Sequence, residues 1–355
     1  MKILFDLTFI NPYQSTGVST FAFRLLKGLK NAGEDVNISL LASHTNFNYI
    51  KEILPDYEIL NIHGKHKSLE KLLQAYYYDI YYNPFFTIKS IVPKGVISLA
   101  TVHDIQPIRL NGIIKNYLFV PILYRKFKKL DGIVTISEFS SNCIKNKFPQ
   151  LKNNITVIHN SVDIRSSCAS YKRIKGRYIL NVNAIEEYKN QISILYAFAS
   201  IKDKIPHCLV FKGKKTKYWE SVLQPIIDDN NLGDRIFLIS DNLSSEDLSD
   251  LYSSADLFVN TSVMEGFGFT PIEAAINQVP VLTTQCDALY ETTQGKLNYI
   301  NDPYDIKEIS SKILFLLNNR MTKNRLEEIS KFYSSFYSLE KQANAYINYF
   351  KRFAK

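Results

Sequence analysis

The sequence is poor in cysteine and has no long apolar run. Only four of its 355 residues are cysteines, and Cys143, Cys168, Cys208 and Cys286 are too scattered to have the spacing of metal ligands. No stretch approaches the roughly 20 consecutive apolar residues that span a membrane. These absences predict a reduced cytoplasmic protein without a structural zinc, at most peripheral on the inner face of the membrane.

Export signals and repeats are lacking as well. The stretch MKILFDLTFI at the start has a short apolar run that contains Asp6, and no small-residue cleavage site follows it. We therefore expect this stretch to form a strand rather than a signal peptide. No short-period repeat or low-complexity tract is visible in the sequence.

Acidic residues are fewer than basic residues. The 34 acidic and 43 basic residues give a net charge of +9, which indicates an anionic partner. A phosphorylated substrate, an anionic lipid surface and nucleic acid would each fit this charge. Nucleic-acid binding has no support beyond the charge, because no motif supplies an element that reads bases.

Short runs rich in isoleucine and valine alternate with longer amphipathic segments along the whole chain. This alternation is typical of βαβ units and parallel sheets, and the length of the chain suits two domains. The first series of predicted strands comprises residues 2–7, 36–41, 97–103, 133–137 and 155–159. The second series comprises residues 177–183, 208–213, 235–240, 257–262 and 279–284.

The polar, basic segment between the two series, residues 161–176, is interpreted as an interdomain linker. We expect an amino-terminal Rossmann-like acceptor domain over residues 1–165 and a carboxy-terminal Rossmann-like donor domain over residues 166–335. A final helix, residues 336–355, could pack back onto the first domain or end on a surface. Two such domains facing each other across a cleft would bring the strand ends of both sheets to one binding site.

The stretch VNTSVMEGFGFTPIEAA, residues 259–275, predicts a strand, a glycine turn and a helix with Pro271 at its first position. Thr270 would then be the N-cap, and Glu273 lies three residues later, which is the spacing of a capping box. Glu265 follows the carboxyl end of a strand, where open α/β sheets bind ligands. Both carboxylates are expected to face one crevice with the free N–H groups of the helix, which favour phosphate.

This stretch resembles the E-x7-E signature of family four of the retaining glycosyltransferases, whose GT-B fold has two Rossmann-like domains. The similarity continues along the chain in TGVSTFAFRLLKGL, TVHDIQPI, IVTISEFS, YILNVNAIEEYKN and NYINDPYD. The occurrence of all these motifs in the same order along the chain indicates the family more specifically than any single motif does. The resemblance extends to bacterial polysaccharide and O-antigen mannosyl- or rhamnosyltransferases.

The resemblance implies a role for each signature carboxylate. Glu265 would contact the hydroxyls of the donor sugar, and Glu273 would bind the ribose hydroxyls of the nucleotide. A carboxylate has acceptor capacity for a ribose and a helix cap together, so both roles are compatible for Glu273. The backbone of Phe267, Gly268 and Phe269 would lie against the sugar or the diphosphate, where glycine permits close approach.

The resemblance also implies roles outside the signature. Lys189 matches the family lysine that neutralises the departing diphosphate, although an exposed lysine at a helix start is the simpler interpretation. His103, with Asp104 beside it, resembles the family histidine near the anomeric centre, although a histidine at a strand end is often structural. Gly17, expected in a loop that approaches the diphosphate or the acceptor closely, and Gly213 complete the expected donor-binding residues. The expected catalytic residues are His103, Lys189 and Glu265.

Four positions depart from the family pattern. Ser19, Asn183 and Gln278 replace glycines, and Tyr188 replaces the usual arginine before the lysine. Serine and asparagine can substitute where a small side chain or a positive φ suffices, whereas Tyr188 removes a charge. We therefore expect neutralisation of the diphosphate charge to depend more heavily on Lys189. The identity of the donor stays open.

The segment NGIIKNYLFVPILYRKFKKL, residues 111–130, has five basic residues and no acidic residue. It could be an amphipathic surface that contacts an anionic membrane near a lipid-linked acceptor. The alternative is a core-facing helix with a solvated basic edge, which is ordinary in α/β domains.

The predicted function is transfer of a hexose or deoxyhexose from a nucleoside diphosphate donor to a growing surface glycan or lipid-linked acceptor. GDP-mannose and dTDP-rhamnose are the leading donors, and no metal or other cofactor is expected. Two alternatives are a catalytically degenerate nucleotide-sugar-binding subunit and a nucleotide-sugar epimerase with the same fold. The motifs do not resemble the epimerase family, and a degenerate subunit would not need the signature carboxylates and Lys189.

Overall fold

The computed structural model describes residues 1–13, 16–33, 36–62, 66–105, 113–163, 171 and 173–354. The chain divides into two compact units. The first unit contains residues 1–161 and 337–355, and the second unit contains residues 162–336. Each unit is built on one parallel sheet, which confirms the α/β prediction of two Rossmann-like sheets.

The first unit has a seven-stranded sheet in the order β3-β2-β1-β4-β5-β6-β7. All neighbouring strands are parallel, with Ile3 of β1 opposite Ile38 of β2 and Ile80 of β4. The strand order reverses between β1 and β4, so the carboxyl ends of these two strands flank the switch point of the sheet. The strands are β1 (Lys2–Asp6), β2 (Asn37–Ser43), β3 (Glu58–Ile62), β4 (Ile80–Asn83), β5 (Ile97–Val102), β6 (Gly132–Thr135) and β7 (Asn154–Val157).

Helices cover this sheet. They are α1 (Gly17–Asn31), α2 (Phe47–Ile53), α3 (His66–Ala75), α4 (Ile113–Phe127) and α5 (Glu138–Lys147). A capping box starts α1: the Thr16 side chain accepts from the Ser19 N–H at 3.2 Å, and the Ser19 hydroxyl oxygen accepts from the Thr16 N–H at 2.8 Å. Ser19, which replaces a family glycine, therefore stabilises the start of the helix.

The second unit has a six-stranded sheet in the order β10-β9-β8-β11-β12-β13, again all parallel. Its strands are β8 (Tyr178–Val182), β9 (Cys208–Lys212), β10 (Ile236–Ile239), β11 (Leu257–Asn260), β12 (Val281–Thr284) and β13 (Asn298–Ile300). Its helices are α6 (Gln191–Ile201), α7 (Gln224–Asp229), α8 (Ser245–Ser253), α9 (Phe269–Ile276), α10 (Leu289–Thr292), α11 (Ile306–Asn318) and α12 (Lys323–Phe336). The sheet reverses its strand order between β8 and β11.

The final helix, α13 (Leu339–Lys351), packs on the first unit. A Cβ added to Gly28 of α1 would lie 2.9 Å from the Leu339 carbonyl oxygen, so the two helices approach closely. The Tyr346 hydroxyl is 2.9 Å from the Thr101 hydroxyl of β5. Of the two fates expected for this helix, the structure shows its return to the first unit.

Half of the predicted linker, at residues 164–170 and 172, lies outside the described residues. Ser161, at the start of this segment, contacts the first unit, where its hydroxyl donates to Gln342 Oε1 at 2.7 Å. Tyr171 and Arg173 contact the second unit: the Tyr171 N–H donates to the Ser254 hydroxyl at 2.8 Å, and Arg173 pairs with Asp241 at 2.7 Å. In the part of the chain that the structure describes, no helix is both long and apolar enough to cross a membrane.

Candidate active site

The glycine turn between β11 and α9 differs from its prediction. The helix begins at Phe269, and its N-cap is Gly268 at φ 83°, without a side-chain capping bond. The predicted capping box of Thr270 and Glu273 is therefore wrong, as is the placement of Pro271 at the first helical position. The physical reason is Gly268: its left-handed backbone turns the chain into the helix two residues earlier. A Cβ there would lie 2.2 Å from Leu289 Cδ2, so the turn requires glycine.

Glu273 lies inside α9 and is 8% exposed. The Tyr252 hydroxyl of α8 donates to its Oε2 at 3.1 Å. The carboxylate is thus held from a neighbouring helix and does not cap its own. A buried carboxylate needs such donors, because desolvation is costly for a charged group.

Lys189 and Glu265 form a buried ion pair. Lys189 Nζ lies 2.6 Å from Glu265 Oε1, and both side chains are 11% exposed. The structure therefore contradicts the interpretation of Lys189 as an exposed lysine. The Lys189 ammonium also lies 5.1 Å from the centroid of the Tyr188 ring. Tyr188, at the position of the usual family arginine, thus offers this cation an aromatic face.

The main chain around Lys189 is fixed by polar residues that sequence reasoning missed. Asn190 adopts a left-handed conformation at φ 52°, and its Nδ2 donates to the Pro303 carbonyl at 2.7 Å. The Thr261 hydroxyl donates to the Asn190 carbonyl at 2.8 Å, and the Val263 N–H donates to the Tyr188 carbonyl at 3.0 Å. The available signal was the polar run Asn-Thr-Ser, residues 260–262, which begins at the last residue of the buried strand β11.

The Glu265 backbone is held in a similar way. Its N–H donates to Asp287 Oδ2 at 3.2 Å, and its carbonyl accepts from the Ala288 N–H at 3.3 Å. The nearby Cys286 thiol donates to the Ser262 carbonyl at 3.0 Å, and burial raises its pKa to about 12. Cys286 is therefore a protonated packing residue at neutral pH and not a nucleophile.

Gly213 and Asn183 contact each other through the main chain. A Cβ added to Gly213 would lie 2.2 Å from the Asn183 carbonyl oxygen, so the exit of β9 requires glycine for close packing. The Asn183 side chain donates to Asn260 Oδ1 at 3.0 Å. Asn183 thus joins the loop after β8 to β11, which a glycine at this position would not do.

Gln278 replaces a glycine at the end of α9. It adopts φ 60°, in the left-handed region that glycine favours. Its N–H donates to the Ala275 carbonyl at 3.1 Å, and the Val279 N–H donates to the Ala274 carbonyl at 3.2 Å. These hydrogen bonds satisfy the last carbonyls of α9 and hold Gln278 in the left-handed conformation although it is not a glycine.

The remaining predicted residues belong to the first unit. His103 is 9% exposed, and its Nε2 lies 3.0 Å from the Pro84 carbonyl oxygen. Because a carbonyl only accepts, Nε2 carries the ring proton and Nδ1 is an acceptor. Burial lowers the pKa of His103 to about 4, so the ring is neutral at neutral pH. Gly17 is the first residue of α1 and not part of a loop, and Asp104 lines a cavity of about 370 Å³ with His103.

The basic segment largely forms α4, although residues 111 and 112 lie outside the described residues. Leu123 and Phe127 are buried in the first unit, whereas Leu118 and Ile122 are 60% and 42% exposed. The Lys126 ammonium donates to the Ser90 carbonyl. One face of the helix therefore belongs to the core, and the opposite face carries exposed apolar side chains.

Among the described residues, no group of three or more His, Cys, Asp or Glu side chains is arranged to hold a metal ion.

Residues 169–332 match the family described as Glycosyl transferases group 1. These residues are a glycosyl transferases group 1 domain. The domain spans Lys189, Gly213, Glu265 and Glu273, and with them every predicted site residue of the second unit. The resemblance noted from the E-x7-E signature is thereby confirmed.

Relatives of this glycosyl transferases group 1 domain include O-antigen enzymes. The O-antigen chain mannosyltransferase RfbU of Salmonella typhimurium is 30% identical over 214 residues, which are 60% of this chain and 59% of RfbU. The O-antigen chain mannosyltransferase B of Escherichia coli is 25% identical over 360 residues, covering 88% of this chain and 90% of the relative. The chain thus spans little more than half the length of RfbU.

Solved structures share the fold over nearly the whole chain. Sucrose-phosphate synthase from Thermosynechococcus elongatus has a TM-score of 0.80 at 14% identity, with 99% of this chain and 98% of that chain covered. HepE of Anabaena in complex with UDP-glucose has a TM-score of 0.75 at 16% identity, with 99% and 100% covered. At these identities the likeness concerns the fold, and the two-sheet GT-B prediction is confirmed.

Proposed function

We propose that the protein is a retaining glycosyltransferase that moves a hexose or deoxyhexose from a nucleoside diphosphate donor to a growing surface glycan or lipid-linked acceptor. The observation that carries the proposal is the buried pair of Lys189 and Glu265 at 2.6 Å, within a glycosyl transferases group 1 domain. Mannose is the favoured sugar, because O-antigen mannosyltransferases are among the relatives. GDP-mannose is accordingly the favoured donor, and dTDP-rhamnose is the second.

The ion pair is suited to exchange its partners when the donor binds. Lys189 and Glu265 neutralise each other at 2.6 Å, which lets both stay buried. A diphosphate would give Lys189 a stronger anionic partner, and the hydroxyls of the sugar would donate to Glu265. The same cation then stabilises the charge that grows on the departing nucleoside diphosphate.

The transfer step conserves atoms and charge. The bond between the anomeric carbon and the diphosphate oxygen breaks, and a bond to the acceptor oxygen forms on the same face. The proton of the acceptor hydroxyl passes to the departing phosphate oxygen. No protein nucleophile is assigned, because retention here follows from attack on the face from which the diphosphate leaves.

His103 is proposed to accept a hydrogen bond from the donor sugar. Its Nε2 donates to the Pro84 carbonyl at 3.0 Å, which leaves Nδ1 as an acceptor. Since burial lowers its pKa to about 4, His103 is a poor proton donor at neutral pH. The neutral His103 ring with its proton on Nε2 is therefore suited to position a sugar hydroxyl and not to act as a general acid.

A thermal-shift panel tests the donor site. GDP, UDP, dTDP and ADP, with their sugars, would be compared on wild type, Glu273→Ala and Glu328→Ala. Glu273 is buried beside Tyr252, whereas Glu328 is a surface residue that pairs with Arg325 at 3.2 Å. We expect one nucleotide to raise the melting temperature of wild type and Glu328→Ala but not of Glu273→Ala. No shift with any nucleotide would contradict the proposal.

A further inference from the structure

The glycine turn after β11 is held by one neighbouring segment, residues 284–292, which runs from the end of β12 through α10. At the start of the turn, the Ser262 carbonyl accepts a hydrogen bond from the Thr284 hydroxyl at 2.7 Å. At its end, the Phe267 carbonyl accepts a hydrogen bond from the Thr292 hydroxyl at 2.5 Å. Both ends of the turn are therefore fixed by this support segment.

Glu265, in the middle of the turn, is held by Asp287 and Ala288 of the support segment. Its N–H donates to Asp287 Oδ2 at 3.2 Å, and its carbonyl accepts from the Ala288 N–H at 3.3 Å. The Asp287 side chain is half-buried, and hydrogen bonds to a carboxylate are stronger than those between neutral groups. Ala288 uses its main chain, so of these two bonds the one from Asp287 can be removed by substitution.

The backbone of Asp287 is unusual for a residue with a side chain. It adopts φ 49°, in the left-handed region that glycine occupies without cost and that aspartate and asparagine tolerate better than other residues do. Backbone strain of this kind persists where the surrounding contacts hold it in place. A glycine would suit the backbone of this position but could not bind the Glu265 N–H.

Asp287 also lies near the buried ion pair. The charges of Glu265, Asp287 and Lys189 all act on the thiol of Cys286, the residue before Asp287. In the proposed donor complex Lys189 turns to the diphosphate, so Glu265 loses the partner that holds its side chain at 2.6 Å. The bond from Asp287 does not depend on Lys189, because it holds the main chain of Glu265.

From this geometry we infer that Asp287 is a positioning residue for Glu265. Its carboxylate fixes the Glu265 main chain, so that the Glu265 side chain stays directed at the donor sugar when Lys189 leaves it. The inference rests on the proposed function, because Glu265 is assigned to the sugar there. The alternative is that Asp287 is only a turn residue, selected for its left-handed backbone.

Three variants separate these two roles. Asp287→Gly suits the left-handed backbone and removes the acceptor of the Glu265 N–H. Asp287→Asn keeps an acceptor oxygen and tolerates the same backbone. Gln294→Gly is the matched control: Gln294 is exposed and adopts φ 53°, and its Nε2 donates to the Glu291 carbonyl at 2.6 Å.

The first measurement is consumption of GDP-mannose or dTDP-rhamnose, with nucleotide affinity measured on each protein. We expect Asp287→Gly to lose about 10-fold in kcat at unchanged nucleotide affinity, because a displaced carboxylate fits the transition state less well. Asp287→Asn should stay within about 2-fold of wild type, and Gln294→Gly should equal wild type. Full turnover in Asp287→Gly would overturn the inference, as would an equal loss in Asp287→Asn or Gln294→Gly.

A double-mutant cycle shows whether Asp287 acts through Glu265. In the Glu265→Gln background, Asp287→Gly should lower kcat by no more than about 2-fold, because the side chain that it positions is already impaired. The same loss in both backgrounds would show that Asp287 acts independently of Glu265, and the inference would fall.

Hydrogen exchange at the Glu265 amide keeps the inference separable from the proposed function. We expect this amide to exchange about 10-fold faster in Asp287→Gly than in wild type and Asp287→Asn, whether or not a donor is consumed. Equal protection in all three proteins would overturn the positioning role. Absence of any nucleotide shift in the thermal panel would contradict the proposed function, and the exchange comparison would still decide whether Asp287 holds Glu265.

Discussion

Lys189 and Glu265 depend on each other for burial, so removing one leaves the other charged and unpaired. We expect Lys189→Ala to lower the free energy of unfolding by about 3 kcal/mol, the range for breaking a buried pair. Lys215→Ala is the matched control, because Lys215 pairs with Glu220 at 3.4 Å on the surface. That change is expected to lower stability by less than about 1 kcal/mol. Urea unfolding measures the free energy of unfolding of both variants. Equal losses of stability in Lys189→Ala and Lys215→Ala would contradict the account of the buried pair.

His103 makes stability dependent on pH. Burial lowers its pKa from 6.5 to about 4, so the unfolded chain binds the proton more readily between these values. The free energy of unfolding therefore falls as the pH drops from about 6.5 to about 4, by about 3 kcal/mol in total. His103→Asn, which can still donate to the Pro84 carbonyl, should lack this component.

Urea unfolding between pH 6.5 and 4 gives the free energy of unfolding of wild type and of His103→Asn. The difference between the two proteins is the contribution of His103. Other groups cancel in the difference, including Asp256, whose pKa is held at about 2 by His207 and Arg177 against its burial. A difference that does not change between pH 6.5 and 4 would show that His103 is not held neutral by burial.

At the scale of the element, α4 has an exposed face of unusual composition. Leu118 and Ile122 are exposed one turn apart, and the exposed Arg125 follows in the last turn. We propose that this face contacts an anionic membrane, since apolar side chains flanked by basic residues bind such surfaces.

Cosedimentation with vesicles of phosphatidylglycerol tests the contact. The double variant Leu118→Asp, Ile122→Asp should lose most of its binding, whereas Phe315→Asp should keep it. Phe315 is 63% exposed on α11, so it controls for a charge placed on an exposed apolar site. Equal binding of the two variants would leave α4 as an ordinary core helix with a solvated edge.

The sequence was sufficient to predict most elements but not all of their bounds. The strands β3, β4 and β13 were missed. β3 is a partly exposed edge strand, and β4 and β13 have only four and three residues. The start of α9 was placed too late, since proline marked the helix in the sequence while the left-handed Gly268 starts it in the structure. Local patterns therefore located the helix and misjudged its cap.

At the scale of the whole molecule, the alternation of strands and helices was enough to predict two parallel sheets. The contact between Lys189 and Glu265 was not predictable in this way, because 76 residues separate them. It arises because β8 and β11 are neighbours, with Ile179 opposite Leu257, so the turns after both strands meet. The family resemblance implied the roles of Lys189 and Glu265. Their proximity follows from the order of the strands in the sheet, which the resemblance did not give.

We propose that Glu265 acts on the donor sugar and not on the nucleotide. The most direct test is consumption of GDP-mannose or dTDP-rhamnose by wild type and Glu265→Gln, with nucleotide affinity measured on both proteins. We expect Glu265→Gln to keep its nucleotide affinity and to lose about 100-fold in kcat, as for a lost transition-state interaction. Unchanged turnover in Glu265→Gln would contradict the assignment of this carboxylate to the sugar.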